Sequence, residues 1–177
     1  MNLPNILTLT RVLMIPLFVI FIINKHFGWA LITFGIAGIT DGVDGLIARI
    51  THQRTELGAY LDPIADKLLL FSAFITLAII EVIPSWLVVI VITRDVIILV
   101  GFLVMLLNNY HPKINPSLLS KMTTVFQILT IVLVLLTGYY PALKQLSVIA
   151  VYGTAVMTVL SGAHYIYIGT RILNEKK

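Results

Sequence analysis

The sequence predicts an all-α, polytopic membrane protein with six transmembrane helices, and three observations predict it. Hydrophobic residues make up 59% of the 177 positions and charged residues only 11%, where a soluble domain carries roughly 25% charged. Mean hydropathy is +1.01. Apolar runs of spanning length recur six times, separated by short polar breaks. A chain with so few polar groups could not cover its surface in water, so its solvent is largely lipid. The absence of cysteine excludes disulfides and thiolate metal sites. The net charge of +4 is spread between apolar runs rather than gathered in one patch, which argues against a nucleic-acid partner.

A crossing helix needs about 20 mainly apolar residues. The first run, 3–24, starts at the interface and becomes a span. Its apolar part, 12–23, has no basic segment ahead of Arg11 and no A-x-A-like cleavage site after it, so it reads as a retained helix rather than a signal peptide. It stops at Asn24, Lys25 and His26, with Gly28 close behind. The second run, 29–50, ends in the polar stretch 51–56, and the third, 60–80, ends at Glu81 with Pro84 following. The fourth, 84–107, precedes the break 108–116. The fifth, 118–138, ends in the turn 138–141, and the sixth covers 146–173. No repeat, linker or low-complexity tract interrupts them, so residues 1–177 read as a single membrane-embedded domain.

Lys and Arg set the expected orientation. With the N-terminus in the cytoplasm, that side receives Arg11, Arg49, Arg54, Lys67, Lys113, Lys121, Arg171, Lys176 and Lys177. The other side receives only Lys25 and Lys144, while Arg94 falls within a span. The bias places both termini on the cytoplasmic side of an inner membrane.

Acidic residues number eight in the whole chain, and Asp41, Asp44, Asp62 and Asp66 fall at the cytoplasmic end of the second run and the start of the third. A carboxylate at the bilayer centre costs at least ~2.5 kcal/mol on insertion scales, so four together need compensation even near the interface. Asp41 and Asp44 are spaced i,i+3 and Asp62 and Asp66 i,i+4, so each pair shares one helix face. Gly45, Ala48 and Gly58 beside them permit close approach of backbone or ligand. Converging carboxylates repel unless cations lie between them, and oxygen ligands without Cys or His select Mg²⁺, Mn²⁺ or Ca²⁺. Solvated surface acids would need neither the helical spacing nor the small neighbours. A cation transporter would place its acids at the midplane, often on broken helices in inverted repeats, and no repeat is visible.

Asp41-x2-Asp44-Gly45-x2-Ala48-Arg49-x8-Gly58-x3-Asp62-x3-Asp66 resembles the signature of the CDP-alcohol phosphatidyltransferases. Eight fixed residues at fixed offsets make the match specific. Pro4, Asn5, Leu7, Thr8 and Arg11, with Arg94 and Lys121, look like the phosphatidylglycerophosphate synthase and CMP-forming cardiolipin synthase branches, so the resemblance runs along essentially the whole chain. It implies that fold, with six membrane helices, a homodimer, and two divalent cations, Mg²⁺ or Mn²⁺, held by Asp41, Asp44, Asp62 and Asp66. It also implies a CDP site lined by Asp44, Gly45, Ala48, Arg49 and Gly58, and Asp66 as general base. The implied reaction moves a phosphatidyl group from CDP-diacylglycerol to an alcohol and releases CMP.

The acceptor rests on Arg94 and Lys121. A charge inside a span is functional by default. Arg94 either binds the acceptor phosphate together with Lys121 or neutralises the aspartate cluster. Adjacent helical residues point about 100° apart, so Arg94 and Asp95 need not pair. Phosphatidylglycerophosphate synthases usually have Arg-Glu here and Gly-Lys-x-Lys-Thr in the fifth span. Arg94-Asp95 and Ser120-Lys121-Met122-Thr123-Thr124 lean toward cardiolipin synthases. Glycerol 3-phosphate is ranked first and phosphatidylglycerol second. Lys67 points off the face of Asp66 and is expected to snorkel. Trp29, Trp86, Tyr139, Tyr140, Tyr165 and Tyr167 read as interface anchors, and His26, His52, His111 and His164 as interfacial or packing residues. Gly153, Ser161 and Gly162 are expected at a helix–helix contact.

Overall fold

A computed structural model describes residues 3–50, 56–107 and 117–174; within these, residues 3–8, 41–50, 56–63, 106 and 172–174 are described by their backbone alone. Among the described residues every regular element is helical. In chain order these are α1 (Leu3–Ile23), α2 (Phe27–Ile50), α3 (Glu56–Ile79), α4 (Ser85–Leu107), α5 (Leu118–Thr137), a short 3₁₀ turn (Pro141–Leu143) and α6 (Lys144–Asn174). The six expected runs are thus six helices. The largest difference is at the start of α3, four residues earlier than expected, where Glu56 suits the first turn of a helix.

Among the described residues, three segments are long and apolar enough to cross a membrane: Ser85–Met105, Leu118–Thr137 and Pro141–Arg171. The described apolar parts of the first two helices, Leu9–Ile23 and Phe27–Thr40, are shorter. The chain is therefore a membrane protein by composition and helix length.

Local chemistry sets the helix ends. After α1, the His26 N–H donates to the Phe21 carbonyl (2.8 Å) and the Lys25 N–H to the Ile22 carbonyl (2.9 Å). After α3, Val82 donates to Leu77 (2.9 Å) and Glu81 to Ala78 (3.0 Å) in the same way. Both are paired six-to-one and five-to-two closures that require a left-handed residue. Here that residue is Lys25 (φ 58°) or Glu81 (φ 60°) rather than glycine. At the start of α5, the Ser117 hydroxyl caps the helix by accepting from the Ser120 N–H at 3.1 Å.

α1 packs against α2 and α3, α6 packs against α4 and α5, and the two groups meet where α5 touches α2 and α3 and where α3 touches α4. The buried core lies toward the end that holds the α1–α2 and α3–α4 turns. There Phe18, Ile22, Phe34, Phe74, Leu77, Leu87, Ile131 and Leu135 meet, with the Phe18 and Phe34 rings 5.6 Å apart. The α5–α6 turn is drawn to the same end, since the Gly28 N–H donates to the Tyr139 hydroxyl at 3.0 Å.

Candidate active site

The predicted site residues fall on two unbroken helices. Asp41, Asp44, Gly45, Ala48 and Arg49 lie in α2, and Gly58, Asp62 and Asp66 lie in α3. The i,i+3 and i,i+4 spacings are therefore spacings on real helical turns, and both helices rest on α1. Apart from Asp66, the side chains of these eight lie outside the described residues. Among the described residues no group of three or more His, Cys, Asp or Glu is placed to hold a metal.

Asp66 accepts a hydrogen bond from Arg11 Nη1 at 3.0 Å. The arginine side chain is fully buried, whereas the carboxylate is 44% exposed. A buried guanidinium needs an anion to offset its lost hydration, and α1 delivers this one to the carboxylate that closes the motif. In the sequence Arg11 is legible only as the last residue of the opening pattern that begins at Pro4 and as a cytoplasmic charge. Its pairing with Asp66 spans 55 positions and leaves no local trace.

The next residue of α3 is also ion-paired. Lys67 Nζ donates to Asp95 Oδ2 at 2.6 Å, so the expected snorkelling lysine is instead a bridge from α3 to α4. The other oxygen of Asp95 accepts from Arg94 Nη1, also at 2.6 Å. Adjacent helical residues diverge at Cβ, but the arginine stem is long enough to fold back. Arg94 Nη2 donates to Ser120 of α5 (2.6 Å) and to Ser161 of α6 (2.7 Å), and its Nε donates to Ser161 (3.2 Å). The guanidinium carbon lies 5.7 Å from the centre of the Tyr165 ring. Tyr165 is therefore a wall of this polar site rather than an interface anchor, and its hydroxyl accepts from the Ser117 N–H at 3.4 Å.

Of the two proposed acceptor residues, Arg94 is 5% exposed and tied to three helices, while Lys121 is exposed at the start of α5. Arg94 answers Asp95 among the described acids, and the described member of the aspartate motif, Asp66, is answered by Arg11. The helix–helix role expected of the small residues of α6 is present. Ser161 is buried on Arg94, Gly162 leaves 3.5 Å between an added Cβ and the Arg94 side chain, and at Gly153 an added Cβ would stand 3.0 Å from the Phe126 ring.

Below the arginine a polar seam joins α5 to α6. The Thr123 hydroxyl donates to the Met157 carbonyl (3.0 Å), Thr130 and Thr154 share a hydrogen bond (2.8 Å), and Thr154 also reaches the Phe126 carbonyl (2.9 Å). Gln127 is buried in the same helix, with its amide nitrogen unpartnered among the described residues.

The family profile for CDP-alcohol phosphatidyltransferase matches residues 1–160. The chain is 35% identical over 173 residues to a probable phosphatidylglycerophosphate synthase of Mycobacterium tuberculosis, covering 93% of this chain and 80% of that one. It is 32% identical over 182 residues to the CDP-diacylglycerol–glycerol-3-phosphate 3-phosphatidyltransferase of Bacillus subtilis, covering 93% of each. Against a probable CMP-forming cardiolipin synthase of Drosophila melanogaster identity is 37% over 147 residues, covering 74% of this chain but only 46% of the fly protein. On the match along most of its length, the chain belongs to the CDP-alcohol phosphatidyltransferase family.

Proposed function

We propose that this protein transfers the phosphatidyl group of CDP-diacylglycerol to glycerol 3-phosphate, forming phosphatidylglycerophosphate and releasing CMP. The observation that carries the reading is the Asp41-to-Asp66 motif on two continuous helices in a chain of this family. The choice of acceptor is supported by the bacterial relative that matches over 93% of both chains and bears that activity in its name. Phosphatidylglycerol, giving cardiolipin, is the second reading, favoured by Asp95 and Ser120 and by the similarity to the fly protein.

The donor set fits hard divalent cations, since Asp41, Asp44, Asp62 and Asp66 supply only oxygens. These four aspartates would hold two ions, Mg²⁺ or Mn²⁺, whose contribution is to neutralise the pyrophosphate and the departing CMP. Gly45, Ala48 and Gly58 would admit the CDP moiety close to the backbone, beside Asp44, and Arg49 would pair with its phosphate. Arg94 and Lys121 would hold the acceptor phosphate. Asp66 takes the proton from the acceptor hydroxyl, whose oxygen bonds to the phosphorus bearing the diacylglycerol as the bond from that phosphorus to the CMP oxygen breaks. Direct transfer is the simpler course in a chain with no cysteine and no evident Ser–His pair. The six apolar runs support six crossings of an inner or cytoplasmic membrane, the Lys and Arg bias supports the site and both termini on the cytoplasmic side, and the resemblance supports a homodimer of one-domain subunits.

The test is to incubate purified protein with CDP-diacylglycerol and each acceptor, with and without Mg²⁺ or Mn²⁺, and to identify the lipid product. CMP release that requires the ion and yields phosphatidylglycerophosphate is expected. Cardiolipin as the product would move the assignment to the second reading. Full turnover in chelated buffer would remove the metal site, and no CMP release at all would leave a transporter or scaffold.

A further inference from the structure

We infer that Asp95 is a positioning residue, which fixes the acceptor-side cation Arg94 relative to the base-bearing end of α3. The inference rests on the reading of Arg94 and Asp66 given above.

Three geometric facts support it. The Asp95 side chain is only 10% exposed, yet each of its oxygens accepts one cationic donor at 2.6 Å, Arg94 from its own helix and Lys67 from α3. Lys67 is covalently next to Asp66, so its anchor also sets the rotation and height of the turn that carries Asp66. Arg94 in turn holds Ser120 of α5 and Ser161 of α6. One carboxylate therefore links the helix of the proposed base to all three helices around the proposed acceptor site.

Charge explains why an acid belongs there. Lys67 and Arg94 approach the same point, and a neutral residue at position 95 would leave the buried Arg94 guanidinium facing the half-exposed Lys67 ammonium with no anion between them. They would turn apart, carrying Asp66 and the guanidinium out of register. Displacements of about 1 Å away from the reacting atoms cost up to ~10²-fold in rate. With Asp95 present, the three side chains keep a net single positive charge, suited to recruiting an acceptor phosphate without trapping it.

The experiment is steady-state CMP release by the purified full-length protein, varying CDP-diacylglycerol and the acceptor separately, for Asp95→Asn, Asp95→Glu, Lys67→Met and the Asp95→Asn/Lys67→Met double variant. Asp95→Asn is expected to raise the acceptor KM about tenfold and to lower kcat several-fold, with the CDP-diacylglycerol KM unchanged, and Asp95→Glu to recover most of that loss. The double variant should be no worse than about twofold below Asp95→Asn alone, because both changes break one link. Fully multiplied losses, or a fall in kcat with both KM values unchanged and a lower melting temperature, would overturn the inference in favour of a structural role. Should Asp95→Asn fail to fold, Lys67→Met alone carries the same KM criterion. Wild-type protein that releases no CMP with either acceptor would defeat the functional reading itself. Normal wild-type turnover with unaltered Asp95→Asn kinetics would defeat only this inference.

Discussion

At the end of the bundle where the α1–α2, α3–α4 and α5–α6 turns gather, helices are held by rings and aliphatic side chains. At the other end they are held by charge. Phe18, Phe34, Phe74 and Leu77 fill the first end. Arg11–Asp66, Lys67–Asp95 and Arg94 with its two serines tie the second. Apolar contact is non-directional and tolerates small errors of position, whereas a guanidinium shared among a carboxylate and two hydroxyls has one geometry that satisfies it. The first end holds the helices together, and the second holds them in register around the proposed site.

This difference is open to test, beginning with the largest effect. Asp66→Asn should lower CMP release by ~10³-fold or more while the protein stays folded, as expected of a general base. An active Asp66→Asn protein would remove the base assignment and blur the contrast. Arg94→Lys keeps the charge but loses the fork that reaches Ser120 and Ser161 together, so turnover should fall roughly tenfold, checked with acceptor saturation curves. At the opposite end, Gly138→Ala would place a Cβ 2.5 Å from the Phe27 ring. It should lose about 1–3 kcal/mol of stability, read by thermal unfolding in detergent, with turnover per folded molecule unchanged. Smallest, Lys25→Gly and Glu81→Gly should each gain about 1 kcal/mol, since the left-handed conformation strains any residue with a Cβ. A change of activity in either glycine variant would show that the turn end communicates with the site.

The helices were legible because hydropathy and spanning length act along the chain, and all six runs became helices within four residues of their expected bounds at either end. The spacing of Asp41, Asp44, Asp62 and Asp66 was legible for the same reason, since a helix face is a local property. The ion pairs were not. Arg11 with Asp66 and Lys67 with Asp95 join residues 55 and 28 positions apart, and their partners are fixed by how helices pack. Lys67 read as a snorkelling side chain because it points off the face of Asp66, and the anion it meets lies on another helix. The Arg94–Asp95 bond escaped a rule about Cβ directions that takes no account of the arginine's length.

The seam of Thr123, Gln127, Thr130 and Thr154 bears on how the protein enters its bilayer. A lone α5 surrounded by acyl chains would present the Gln127 amide and several hydroxyls to hydrocarbon, and each such group without a partner is penalised there. Beside α6 those groups are enclosed and the threonines find bonds across the helix pair. The last two helices are therefore better suited to hydrocarbon as a pair than either would be alone.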